Sequence, residues 1–240
     1  MIRIENLTRA FAVGRETIRA LDGVSFEVQR GEYLTVTGHS GSGKSTLLMS
    51  LGGLLHPTSG RVMFDGVDIY RQSHRALAQF RTKTIGFVFQ QFHLVPYLTA
   101  WENVALPLML NGNGRGKHKE IAVGLLTRVD LSSRLNHKPS QLSVGQQQRV
   151  AMARTLANNP SVILADEPTG SLDPSLTADL LSLLKDLNDE GKTIILVTHS
   201  NEVAMAGDRH VSLRDGRIQD VPVFGTASTA EPARVRSSES

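Results

Sequence analysis

Tyr33-Leu34-Thr35-Val36-Thr37-Gly38-His39-Ser40-Gly41-Ser42-Gly43-Lys44-Ser45-Thr46-Leu47-Leu48 is the stretch on which the reading of this chain turns. The dense apolar run Tyr33–Thr37, set off by Arg30-Gly31-Glu32, predicts a short buried strand. From Gly38 to Ser45 the pattern G-x-x-x-x-G-K-[ST] is filled at every fixed position. Leu47, Leu48, Leu51 and Leu54 then recur at helical spacing. In a strand, glycine loop and helix in this order, backbone N–H groups and the helix's positive end converge on an anion. Gly38, His39, Ser40, Gly41, Ser42, Gly43 and Thr46 would line such a cradle. Lys44 would reach the β- and γ-phosphates, and the Ser45 hydroxyl would sit on Mg²⁺. A chance match in a chain of ordinary glycine content is on the order of 1%. Two competing glycine motifs fail on the same residues. G-x-G-x-x-G lacks a glycine three positions after Gly43, and G-x-S-x-G meets Ser42 where glycine is required.

Val162-Ile163-Leu164-Ala165-Asp166-Glu167 supplies a second half. An apolar run short enough for a buried strand ends in two carboxylates. Asp166 is placed to hold Mg²⁺, and Glu167, just beyond the strand end, to polarise an attacking water. Between and around these motifs, segments 24–28, 61–64, 68–70, Ile85–Phe89 and Thr193–Thr198 are read as strands. Segments 146–156 and 176–188 are read as helices, and 91–160 as mainly helical. Asn111-Gly112-Asn113-Gly114-Arg115-Gly116 is the best candidate for a flexible surface loop. Strands alternating with helices predict a helix-covered, mostly parallel α/β sheet.

Composition narrows the classes further. The 240 residues carry 26 Lys and Arg against 23 Asp and Glu, a net +3, with no long basic run to mark a dedicated nucleic-acid binder. There is no cysteine, which excludes disulfide scaffolds, zinc-thiolate sites and cysteine nucleophiles. No run approaches the roughly 18 apolar residues of a membrane span. A chain soluble by itself is the expectation.

Gln141-Leu142-Ser143-Val144-Gly145-Gln146-Gln147-Gln148-Arg149 resembles the signature segment of ATP-binding-cassette (ABC) ATPases, usually L-S-G-G-Q, with Val144 replacing its third residue. Its Ser143 offers a hydroxyl, Gly145 allows close backbone approach, and Gln146 opens a helix whose positive end faces an anion. The resemblance, covering residues 2 to about 220, implies a P-loop ATPase of the ABC type with a mostly parallel core sheet. An N-terminal antiparallel β subdomain and a helical signature subdomain would accompany that sheet. Residues 1–224 would form the ATPase domain, with core and β subdomain at about 1–90 and 160–224 and the helical subdomain at about 91–159. Residues 225–240, rich in Ser, Ala, Thr and Pro, are read as a disordered tail.

The resemblance also assigns roles. Gln90 matches the glutamine that touches Mg²⁺ and the attacking water, and His199 the histidine that contacts the γ-phosphate. Phe11 matches the aromatic that stacks on adenine, and Ser171-Leu172-Asp173 the loop that crosses a dimer interface. ATP and Mg²⁺ are the implied ligands. A second copy, or a homologous ATPase, would complete each site by presenting Ser143, Gly145 and Gln146. The aromatic-rich stretch from Phe92 to Trp101 would meet a membrane permease subunit at the cytoplasmic face of the inner (plasma) membrane. With Ala165-Asp166-Glu167-Pro168-Thr169-Gly170, residues 86–104 look like the lipoprotein-release and macrolide-export group. The alternative is a soluble ABC ATPase acting on nucleic acid or ribosomes. Such proteins carry two cassettes or long insertions, neither of which is present here, so no nucleic-acid partner is expected. A non-catalytic nucleotide-binding subunit is a third reading, opposed by Glu167 and His199.

Overall fold

The structure is a computed structural model that describes residues 1–111 and 116–219. The expected loop at 111–116 falls largely, and the expected tail at 225–240 wholly, outside those residues. The chain opens with two long antiparallel strands, β1 (Ile2–Val13) and β2 (Glu16–Val28). Ile2 and Ile4 point inward by simple alternation, but Asn6 adopts φ 47° and the register slips there, so that Leu7 turns inward instead. Then come β3 (Tyr33–Thr37), α1 (Lys44–Leu51), β4 (Ser59–Phe64) and the two-residue β5 (Val67–Asp68). The strand expected at 68–70 gives way to a 3₁₀ turn, Ile69–Arg71. The Asp68 carboxylate accepts from the Tyr70 N–H at 3.0 Å, and this local cap outcompetes the sheet ladder.

α2 (His74–Thr84) leads directly into β6 (Ile85–Phe89). Helices α3 (Ala100–Asn111), α4 (His118–Arg128) and α5 (Val144–Leu156) come next. The last third is β7 (Val162–Asp166), α6 (Pro174–Asp189), β8 (Thr193–Thr198), the single turn α7 (Asn201–Ala204), β9 (Arg209–Arg214) and β10 (Arg217–Gln219). The expected helices thus begin earlier: α5 at Val144 because Ser143 caps it, and α6 at Pro174 because Asp173 does.

Two sheets result. One is antiparallel in the order β2-β1-β4-β5; the other runs β10-β9-β3-β8-β7-β6 and is parallel except for β10. Strands β3, β6, β7 and β8 of the parallel sheet read as apolar runs because both faces are covered. Val162, Leu164, Ile195 and Val197 pack on one face against α1 and the antiparallel sheet. Ile163, Ala165, Ile194 and Leu196 pack on the other against Leu180, Leu184 and Leu187 of α6. A third cluster joins α3, α4 and α5 through Val104, Leu126 and Val150, while Met152 and Leu156 of α5 belong to the α6 side. Register places the functional edge: Thr37 pairs with Thr198, Asp166 with Val197, and Phe89 with Asp166. Four parallel strands therefore end at one level, and the loops leaving them converge in one place.

Candidate functional site

At that edge the loop after β3 folds over a cavity of about 700 Å³ whose lining includes Ser40, Lys44, Ser45, Gln90, Glu167 and His199. Gly43 sits at φ 104°, and a Cβ there would lie 2.2 Å from the Ala20 carbonyl oxygen, so only glycine fits. The loop is braced from outside by the β9–β10 hairpin, where Gly216 N–H donates to the Ser42 carbonyl at 3.0 Å. His39 Nε2 lies 3.4 Å from Asp215 of the same turn. The buried Lys44 donates from Nζ to the carbonyls of Gly38 and His39 at 2.8 and 3.1 Å. Its ammonium also stands 3.6 Å from Glu167 Oε1.

Ser45 donates its hydroxyl to Asp166 Oδ1 at 2.9 Å. Burial pushes the Asp166 carboxyl above the usual carboxylate range; the Ser45 hydrogen bond and Lys44 oppose the rise, and neighbouring Glu167 adds to it. A hydroxyl and a carboxylate oxygen in contact beside a phosphate-type cradle are hard donors. This donor set suits Mg²⁺, which leaves most of its positions to phosphate oxygens and water.

Glu167 stands one residue beyond β7 at φ 45°, its N–H held by the Val197 carbonyl at 3.0 Å. Its Oε2 accepts from the His199 backbone N–H at 3.2 Å and lies 2.9 Å from Nδ1 of the same residue. A carboxylate facing Nδ1 fixes the proton there, which leaves Nε2 as the acceptor of the neutral ring. Gln90 comes directly after β6 and lies against Gly170, where a Cβ would meet its Nε2 at 2.7 Å. Lys44, Ser45, Gln90, Asp166, Glu167 and His199 are thus brought together by four strand ends.

Other expected residues lie elsewhere. Phe11 is on β1 opposite Ile18, with the Arg9 guanidinium 4.6 Å over its ring, and is not among the cavity-lining residues. Ser143 and Gln146 form a reciprocal cap at the start of α5, with Ser143 Oγ accepting from Gln146 N–H at 3.3 Å and Gln146 Oε1 from Ser143 N–H at 3.1 Å. Gly145 is buried against Leu176 of α6, and Val144 is exposed.

The supports of the segment after Gln90 are not legible in the sequence. The fully buried Asn103 side chain accepts from Val95 N–H at 2.7 Å and donates to the carbonyls of Val95, Leu98 and Thr99. Arg154 of α5 donates to the Phe92 and His93 carbonyls, and burial lowers its pKa. Nothing in local sequence announces either role, whereas the Asp215-Gly216 dipeptide is a readable hairpin signal. Of the large residues in this segment, Leu94 and Trp101 pack on the helical core and Tyr97 is 73% exposed. Asn103→Ala should lower stability by about 2–4 kcal/mol, since it orphans several buried backbone groups. Urea denaturation checks this, and a loss under 1 kcal/mol would mean that water replaces the amide.

A family model described as "ABC transporter" matches residues 21–170. An uncharacterized ABC transporter ATP-binding protein of Thermotoga maritima is 48% identical over 221 residues, covering 92% of this chain and 94% of that one. The macrolide export ATP-binding/permease protein MacB of Hyphomonas neptunium is 46% identical over 218 residues, which span 91% of this chain but 34% of MacB. A solved dimeric structure of the cassette MJ0796 in a post-hydrolysis state, bound to ADP and Pi, superposes with a TM-score of 0.86 at 43% identity. It covers 94% of this chain and 100% of that one; MJ0796 is a protein of Methanocaldococcus jannaschii.

Proposed function

The chain belongs to the ABC transporter family, and from that premise we propose that it is an ATP-hydrolysing subunit that closes with a second copy, or a homologous ATPase, on two ATP molecules. The observation that carries the reading is Glu167, held between Lys44 and His199 in the cavity formed by the phosphate loop. Ser45, Asp166 and Gln90 would hold Mg²⁺, which would offset phosphate charge. The loop from Gly38 to Thr46 binds the phosphates through backbone N–H groups, and Lys44 turns to their oxygens. Glu167 takes a proton from the attacking water, with His199 fixing the carboxylate. Phe11 supplies a ring for adenine. Ser143, Gly145 and Gln146 of the second copy close the site, which supports the reading because one chain's α5 start stands outside its own cavity.

The same subunit drives a separate membrane permease at the cytoplasmic face of the inner membrane, in lipoprotein release or efflux by pumping an extracytoplasmic domain. Among the described residues no helix is long and apolar enough to cross a membrane. A largely apolar groove of about 410 Å³, with Arg81 and Arg154 also in its lining, lies between Phe87 and Phe89 of β6 and Leu106, Pro107 and Leu110 of α3. Leu110 is 81% exposed beside it. The groove adjoins the stretch from Phe92 to Trp101, and both offer a seat for a short helix of the permease.

Mild-detergent extraction and capture of this chain should bring down an integral membrane protein; ribosomes or DNA alone would refute the transporter reading. Leu110→Glu should reduce that co-purification at least tenfold, because a carboxylate would have to be desolvated in the groove. It should leave the chain's own ATPase rate within twofold. Undiminished capture would move the contact elsewhere.

A further inference from the structure

Gly145 has a neighbour that accounts for it without any ligand. A Cβ at this position would stand 2.5 Å from Cδ2 of Leu176 and 3.3 Å from its Cδ1. Leu176 is the third residue of α6, and its N–H is accepted by the Asp173 side chain at 3.0 Å. The leucine is thus fixed at the start of its helix, and its branched end fills the space that glycine leaves open at the second residue of α5.

Behind this contact α5 and α6 meet again through Met152 and Leu156, which share a cluster with Leu180 and Leu184. An open groove of about 250 Å³ runs between α5, α6 and the end of α4, lined among others by Val129, Gln148, Met152, Leu176 and Leu180. The Gln148 side-chain nitrogen is buried there without a hydrogen-bond partner. Arg149 reaches across to Asp179 of α6 at 3.1 Å and to Asp130 at 3.2 Å, but these are half-exposed pairs of small energetic weight. The first turn of α5 rests on Leu176.

We propose that Leu176 is a positioning residue. Seated on Gly145, it sets the height at which Ser143 and the N–H groups of the first turn of α5 are presented to the second copy. This rests on the reading that ATP closes two copies of the chain. Leu176 is not among the residues that line its own chain's phosphate cavity, so its effect should fall on closure and spare the binding of ATP to the single chain.

The test uses the full chain carrying Glu167→Gln, with closure measured by gel filtration against ATP concentration. Adding Leu176→Ala should raise the ATP concentration at half-closure about tenfold, with binding of a fluorescent ATP analogue to the monomer changed less than twofold. Leu176→Met, which refills the seat with a flexible side chain, should restore closure to within threefold. If Leu176→Ala closes at the parental concentration, or weakens monomer binding as much as closure, the assignment is wrong. If the Glu167→Gln parent never closes, the two-copy reading fails instead. Amide exchange on the nucleotide-free chain then decides the seat: the Gln147 N–H, bonded to the Ser143 carbonyl at 2.9 Å, should exchange at least fivefold faster with Leu176→Ala. Unchanged exchange would overturn the seat by itself.

Discussion

Glu167→Gln should cut ATP turnover by about two to four orders of magnitude while nucleotide stays bound. The amide keeps the shape of the side chain and can still accept from the His199 backbone N–H, now 3.2 Å from the carboxylate. It cannot take a proton from water, and its neutral oxygen no longer attracts Lys44, 3.6 Å away in the parent. Loss of the base without loss of the cradle should leave closed, ATP-loaded dimers. Phosphate release and gel filtration check the two halves of this expectation. A variant that released phosphate at the parental rate would show that another group receives the proton.

The second large effect is expected at Gly43. Gly43→Ala must adopt φ near 104° with a side chain and place its Cβ 2.2 Å from the Ala20 carbonyl oxygen. The left-handed backbone alone costs about 1–2 kcal/mol for a non-glycine residue. A backbone carbonyl, unlike a flexible side-chain end, cannot swing away, so the loop must move. ATP affinity should fall at least a hundredfold, because the N–H groups and Lys44 would no longer converge. Gly23→Ala separates strain from collision: it also has positive φ, 69°, but no atom within 4 Å of the added carbon. It should cost about 1 kcal/mol of stability and leave ATP binding intact. Titration calorimetry on both variants decides, and equal binding losses would mean that general destabilisation suffices.

β3, β6, β7 and β8 were readable because burial on both faces makes them apolar runs, as in Tyr33–Thr37 and Thr193–Thr198. The phosphate loop was readable because Gly38 and Gly43 stand where an added Cβ would strike a backbone carbonyl, that of Leu213 at 2.3 Å and that of Ala20 at 2.2 Å. Helix α2 was not, since among its eleven residues only Leu77 is buried and the apolar signal is correspondingly thin. β9, second from the edge, and the edge strand β10 were missed because Arg, His, Ser and Gln interrupt them. The meeting of Lys44, Gln90, Glu167 and His199 arises from strand register, which no single segment encodes. Gly145 is subject to the same limit. From sequence its missing side chain pointed to a close approach, and the residue that makes one within the chain, Leu176, lies 31 positions on in another helix.

Glu167 also stands with φ at 45°, a left-handed backbone that a glutamate adopts at a cost. Asparagine and glycine would rest there more comfortably, yet either would remove the carboxylate. Selection for heat tolerance and selection for turnover therefore pull this one position in opposite directions. A lineage that gave up hydrolysis could relax it at once, so the residue at 167 would be an early record of a cassette that had ceased to burn ATP.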